Sequence, residues 1–391
     1  MKVNESNGRY WLGDHAHLLG MQGCMPEWWR QWNGLGGQNR PFNQQWQNSF
    51  EKYYGGNKKL WAEHQLKLLM RTGVGLLTQW TDVGLALDAR KQGIEWVPVL
   101  CGPVPTKKWV NDGADIEVGV SMVREACVDL RKKLEFVGTS PEEALSGVMD
   151  WQEPIWDALR YGAVYGTDGL RLAERLFPQC AEVIREELPG VPVWSPKLAG
   201  STEKDHMGYG WVGFKGDLVG DKSYRWLLLT SASEGRDVLS LNCYGDRESH
   251  RLEDQHRWAD KPIAITEFSH WVLSRKQNAL RYADYKVFNR KIRFTHADST
   301  EESIAAVKRD LLHDAKAPYI VASCIYQWAY HAWDWGWGEG TPLWGYLGHA
   351  VDVTDRDRLS GKEKRNYDWM DGVSEAIWEA SNLAQRLRGA G

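Results

Sequence analysis

ALSGVMDWQEP (Ala144–Pro154) and PIAITEF (Pro262–Phe268) share one plan: a run of small and apolar residues that stops at a carboxylate. The carboxylate is Glu153 in the first and Glu267 in the second. Short runs that are apolar on both faces read as strands buried in a parallel sheet. In a parallel barrel, the C-terminal ends of the strands are where catalytic groups gather. Two carboxyl groups so placed are what glycosidic bond cleavage uses, one as acid and one as nucleophile. A single acid at a strand end would equally well cap the next helix. Two of them, at matching positions of separate strands, point to a shared site.

Outward from these two runs, the same alternation of strand and helix patterns fills the chain. Strands are expected at His17–Met21, Val74–Gln79, Ile94–Leu100, Ala144–Trp151, Val191–Ser195, Val238–Asn242, Ile263–Glu267 and Ile320–Gln327. Helical patterns lie between them. Leu60–Arg71 stops at Gly73, and Asp115–Phe136 carries Ile116, Val120, Val123, Cys127, Leu130 and Leu134 at spacings of three and four. Thr167–Leu188 contains Pro178 and is expected to kink or split there. Tyr224–Ser233 is a shorter candidate; Ser299 with Glu302 reads as a capping box, and a last helix spans about Asp368–Leu387. Eight strands alternating with helices predict an α/β fold: a (β/α)8 TIM barrel with long aromatic-rich βα loops, one domain over residues 1–391. A doubly wound sheet is the alternative. It would normally open with a glycine-rich phosphate turn, and no such motif occurs.

Bulk properties narrow the function. The net charge is −4 and charges of both signs are mixed, with no basic stripe for nucleic acid. No apolar run is long enough to span a membrane. The first residues show no apolar leader, so a cytoplasmic location is expected, or a secreted one if a signal peptide has been removed. The six cysteines form no Cys-x-x-Cys pair and read as buried thiols. Neither a cofactor nor a metal is called for.

Tryptophan is the outlier, with 23 residues beside 15 tyrosines. Trp28, Trp29, Trp32 and Trp46 follow the first expected strand; Trp328, Trp333, Trp335, Trp337 and Trp344 follow the last. Trp80, Trp109, Trp151, Trp156, Trp194, Trp211 and Trp271 lie at or after the others. A pyranose offers an apolar C–H face to an indole and a hydroxyl rim to Asn, Gln or Asp. Loops rich in indoles therefore suggest a sugar-lined cleft, although long loops also pack on their own aromatics. Trp80, Trp271, Trp333 and Trp335 are candidate sugar contacts, and His17 a candidate hydrogen-bonder.

With these residues in view, the chain resembles clan A of the glycoside hydrolases, the retaining (β/α)8 enzymes. In that clan the acid/base glutamate ends strand four, usually as Asn-Glu-Pro, and the nucleophile ends strand seven before Phe or Trp. Glu153 and Glu267 match. The clan places a tyrosine after strand six that contacts the nucleophile, and Asn242-Cys243-Tyr244 fits; it places a tryptophan at the end of strand eight, and Tyr326-Gln327-Trp328 fits. Gln152 stands where the clan usually has Asn, whose amide bonds the sugar 2-hydroxyl, so the contact or the sugar must shift. The segment from Trp344 to Asp355 is weakly similar to the agarase-like family 50; families 42 and 5 stay open. The resemblance implies Glu267 as nucleophile, Glu153 as acid/base, carboxyl groups about 5–5.5 Å apart, and sugar contacts from Trp151, Gln152, Asn242, Tyr244 and Trp328. Trp151 beside Glu153 would help keep that acid protonated. The implied substrate is a β-linked oligosaccharide or polysaccharide. Sugar identity, endo or exo action and oligomeric state stay open.

Two other readings compete. Asp14-His15-Ala16-His17 resembles the His-x-His of metal-dependent amidohydrolases, but the later strands supply no further histidine ligands. A non-catalytic carbohydrate-binding barrel would not need both glutamates.

Overall fold

The computed structural model describes residues 18–22, 57, 60, 63, 66–67, 70, 73–78, 83–152, 154, 167–199, 222–243, 247–268, 299–326 and 361–388. Ten strands are described among them. They are β1 (Leu18–Gln22), β2 (Leu76–Thr78), β3 (Glu95–Val97), β4 (Val99–Cys101), β5 (Val148–Trp151), β6 (Val193–Trp194), β7 (Leu198–Ala199), β8 (Leu239–Asn242), β9 (Ile263–Phe268) and β10 (Ile320–Tyr326). Every strand pairing is parallel. One sheet runs β3-β2-β1-β10-β9-β8-β7 and the other β4-β5-β6.

The two sheets meet at two prolines. Pro98 alone separates β3 from β4, and Ser195-Pro196-Lys197 separates β6 from β7. Proline has no N–H to give to a ladder, so regular pairing stops there. The chain nevertheless stays in place: Met149 N donates to Pro98 O at 2.9 Å and Ser195 N to Val238 O at 2.8 Å. Isolated parallel bridges join Trp194 to Val238 and Gln152 to Lys197. The pairings thus lead from β1 through β2, β3–β4, β5, β6–β7, β8, β9 and β10, and β10 pairs with β1.

Nine α-helices are described: α1 (Val83–Lys91), α2 (Pro103–Asn111), α3 (Ile116–Phe136), α4 (Pro141–Ala144), α5 (Thr167–Glu187), α6 (Lys222–Ser233), α7 (Leu252–Ala259), α8 (Thr300–Lys316) and α9 (Gly361–Arg388). Caps explain several starts. Asp115 accepts from Val118 N at 3.0 Å to open α3, and Ser299 accepts from Glu302 N at 3.1 Å to open α8. Val123, Cys127, Leu130 and Leu134 form the buried stripe of α3, which packs on α5. None of the described helices is long and apolar enough to cross a membrane.

Three expectations need correction. Ala144 ends helix α4 instead of starting a strand, because Ser140 and Glu143 close a capping box that holds 141–144 helical; the strand begins at Val148. Helix α5 is not split at Pro178. Its inner face, including Leu172, Leu176, Phe177, Cys180 and Ile184, is buried, and that packing outweighs one lost backbone donor. The fifth expected strand stops at Trp194 and resumes at Leu198, since Pro196 interrupts it.

Burial divides into two clusters. The larger joins strand residues to the helices. The smaller contains Leu76, Val97, Val99, Met149, Trp194, Val238, Ala264, Val321, Ala322 and Cys324, with no helical residue among them. It fills the face of the strands turned away from the helices. A fully enclosed ion pair ties the two layers together. Arg236 donates to Asp150 Oδ2 at 2.7 Å, to Phe177 O of α5 at 2.6 Å and to Trp194 O at 3.0 Å.

Candidate active site

Glu267 is the fifth of six residues in β9. Strict alternation would send it the wrong way. Ile263 and Ile265 belong to the helix-facing core and Ala264 to the strand-only core. Glu267 shares the parity of the two isoleucines. The register prevents this outcome. On β8, Leu241 pairs with Ile265 but the next residue, Asn242, pairs with Glu267. On β10, Ser323 pairs with Ile265 and Ile325 with Phe268. One extra residue of β9 is accommodated on both sides. Such a bulge re-aims the side chains that follow it. Thr266 occupies it, and its hydroxyl donates to Asn242 Oδ1 at 2.8 Å. Phe268, in turn, joins the helix-facing core.

Side-chain alternation also breaks at the end of β5, although its register with β4 is regular. Asp150 reaches Arg236, which also bonds α5, and Trp151 Nε1 lies 3.4 Å from Cys180 Sγ of α5. Two successive residues therefore face the helices. Gln152 then turns inward, and its Nε2 donates to Glu267 Oε1 at 2.9 Å. The third member comes from the break between β6 and β7. Lys197 N donates to Trp151 O at 2.8 Å, and Lys197 Nζ lies 3.7 Å from the same Glu267 oxygen. Ser195 stabilises this break: its hydroxyl donates to Pro196 O at 2.9 Å and accepts from Ser240 N at 2.8 Å.

The environment is enclosed. The Glu267 side chain is 6% exposed and that of Lys197 0%. Cys324 of β10 faces the pair. Burial pushes its thiol up to about 12; the Lys197 charge and the nearby Thr78 hydroxyl pull the other way, and the Glu267 charge adds to the rise. It is therefore a neutral thiol. Behind Phe268, the Arg247 guanidinium lies 4.3 Å from the ring centroid. Arg247 donates through Nε and Nη2 to Asp314 and through Nη1 to Cys243 O. Burial works against its charge, but Asp314 and Asp310 outweigh that and hold its pKa above the ordinary value.

Of the residues singled out from the sequence, the structure brings Gln152 and Glu267 into contact. Asn242 is adjacent to Glu267 in register and is bonded by Thr266. Trp151 is a correction. Its ring is fully buried, 4.9 Å from that of Trp109 and against α5, so it supports β5 and offers no face to a sugar. Trp109 and Trp194 are likewise core residues. Glu153, Tyr244, Trp328, His17, Trp80, Trp271, Trp333 and Trp335 lie outside the described residues. Sequence reasoning missed Lys197. Its signal is a lysine inside the otherwise apolar VPVWSPKLAG, where a charge is not expected without a partner.

No family model matches the sequence, and no curated protein matches it. Solved structures do. An agarase, AgWH50C, superposes with a TM-score of 0.54 at 14% identity, covering 86% of this chain and 52% of its own. BpGH50 gives 0.51 at 11%, covering 86% of this chain and 75% of its own. An exo-β-agarase gives 0.51 at 14%, covering 84% and 47%. The chain shares their fold. It spans about half the length of the first and third of these proteins.

Proposed function

We propose that the chain is a (β/α)8 barrel that cleaves β-glycosidic bonds with retention, using Glu267 as nucleophile and Glu153 as acid/base. The observation that carries this reading is Glu267 itself. A bulge turns it off the helix-facing core, and Gln152 and Lys197 then converge on one of its oxygens. An acid that merely capped a helix would not need such an arrangement. The circuit of parallel pairings supports the barrel, and the fold likeness to two agarases supports a glycosidase.

In the first step a Glu267 oxygen bonds the anomeric carbon as the glycosidic C–O bond breaks. The departing oxygen takes the proton of Glu153. In the second step Glu153 removes a proton from water, whose oxygen bonds the anomeric carbon, and the ester electron pair returns to Glu267. The substrate is a β-linked oligosaccharide or polysaccharide, with agarose the first to try.

The test is a panel of 4-nitrophenyl β-glycosides with agarose, followed by product analysis. Glu267→Ala is expected to lose turnover, and azide to restore a glycosyl azide of inverted configuration. Full activity in Glu267→Ala removes Glu267 from the reaction. Binding without cleavage across the panel would favour a carbohydrate-binding protein.

A further inference from the structure

The bulge at Thr266 competes with a regular register, in which the side chains that follow would point the other way. Contacts on both of its flanks lead to one buried ion pair. Before the bulge, Ile265 pairs with Ser323 of β10, and the Ser323 hydroxyl donates to Asp314 Oδ2 at 2.8 Å. After it, the Phe268 ring lies against the Arg247 guanidinium. On β8, Cys243 N donates to Glu267 O at 2.7 Å, and Cys243 O accepts from Arg247 Nη1 at 3.0 Å. Arg247 Nε and Nη2 each reach Asp314 across 3.1 Å. One pair, Arg247 with Asp314, thus touches β8, β9 and β10 around Glu267.

We propose that Arg247 is a positioning residue for the nucleophile: braced by Asp314, it clamps the Phe268 ring and the Cys243 carbonyl, and so keeps the Glu267 carboxylate aimed at the anomeric carbon. The inference rests on Glu267 being the nucleophile. The Arg247 side chain is 2% exposed, so it acts on a substrate only through the strands that it holds. Its shape is what the role needs. A guanidinium is planar, so one face stacks on a ring while its edge donates to a carboxylate and a carbonyl. A lysine ammonium is a point charge on a flexible stem and cannot do all three at once. It can still balance Asp314. The charge and the clamp are therefore separable by substitution.

The experiment measures kcat, KM and melting temperature for Arg247→Lys, Phe268→Leu and the double variant. The substrate is a 4-nitrophenyl β-glycoside that the wild type cleaves, assayed well below every melting temperature. In Arg247→Lys, kcat and kcat/KM should fall together by about ten- to a hundredfold, as a small misplacement of a reacting group does. KM should not change, because no contact with substrate is lost. Phe268→Leu should behave in the same way. The double variant should be little worse than either single variant, since both act through one contact. An Arg247→Lys enzyme with a lower melting temperature and wild-type kcat overturns the inference, and so do losses in kcat that multiply.

If Arg247→Lys does not fold, Arg247→Met with Asp314→Asn decides the point. It removes both charges together and keeps an acceptor for Ser323, while Asp310, which also faces Arg247, keeps Arg309 at 3.4 Å. The same loss of kcat at unchanged KM is expected, and wild-type kcat overturns the inference. A wild type that cleaves nothing on the panel overturns the proposed function and this inference together. An active wild type with unaltered variants overturns the inference alone.

Discussion

Gln152 donates its side-chain N–H to Glu267 across 2.9 Å, although the two are 115 residues apart in the chain. Each reaches the other because side-chain alternation breaks just before it. On β5 the register holds but Asp150 and Trp151 both lie against α5; on β9 the break is a register slip at Thr266. A regular strand would aim neither side chain at the site.

Gln152→Ala removes the donor and leaves Lys197 to hold the carboxylate. A hydrogen bond to a charged group is worth about 1.5–3 kcal/mol. The fall in kcat/KM should match that range, about ten- to a hundredfold, with little change in melting temperature. Gln152→Asn should lie between the two, one methylene short of contact. A Gln152→Ala enzyme with wild-type kinetics would show that the bond does not position Glu267.

Thr266→Val keeps the shape of the bulge but loses its hydroxyl bond to Asn242. A cost of about 1 kcal/mol in stability is expected. The measurement is the urea midpoint, together with kcat, which should fall if the bulge relaxes.

Arg236 and Asp150 are enclosed together. Arg236→Met leaves an uncompensated carboxylate and should cost about 3–5 kcal/mol. Arg236→Met with Asp150→Leu should recover most of this. Thermal melting of the two single variants and the double variant decides the point, and additive losses would argue against coupling.

His313 Nδ1–H donates to Asp314 Oδ1 at 3.2 Å, and this hydrogen bond, more than the Asp314 and Asp310 charges, raises its pKa above 6.5; burial and Arg247 oppose the rise. A raised value in the folded state means that the protonated form is favoured by folding. Its contribution is complete below pH 6.5 and disappears as pH rises through the folded-state value. The melting temperature of the wild type, compared with that of His313→Gln, should therefore show its greatest advantage near pH 5.5 and lose it toward pH 8. An advantage that grows with pH would reverse the assignment.

Gly147 lies under the Trp194 indole; a Cβ there would fall within 2.6 Å of its ring carbon Cδ1. The clash is with an enclosed ring that has little room to move. Gly147→Ala should destabilise by about 1–3 kcal/mol, visible as a lower urea midpoint.

Much of the scaffold was legible without coordinates. The runs at β8, β9 and β10 are short, continuous and apolar, and their boundaries agree with expectation to within a residue. The helix starts at Asp115 and Ser299 follow from local capping. Errors arose where two signals competed. At Ala144 a capping box prevailed over an apolar run, and at Pro178 long-range packing prevailed over proline. Trp151 misled because composition favours an indole near a sugar, while its direction is set by packing against Trp109 and Cys180.

The amino-acid order by itself determined most of the segments that become strands and helices, and that a glutamate lies near the end of β9, because hydrophobic periodicity and capping act over a few residues. Only the tertiary structure decided where that glutamate points and what faces it. Side-chain direction in a strand depends on its register with both neighbours, and a bulge is created by that register. The approach of Lys197 likewise arises where Pro196 breaks a strand that Ser195 then re-anchors to Ser240, a contact between distant parts of the chain that no local pattern encodes.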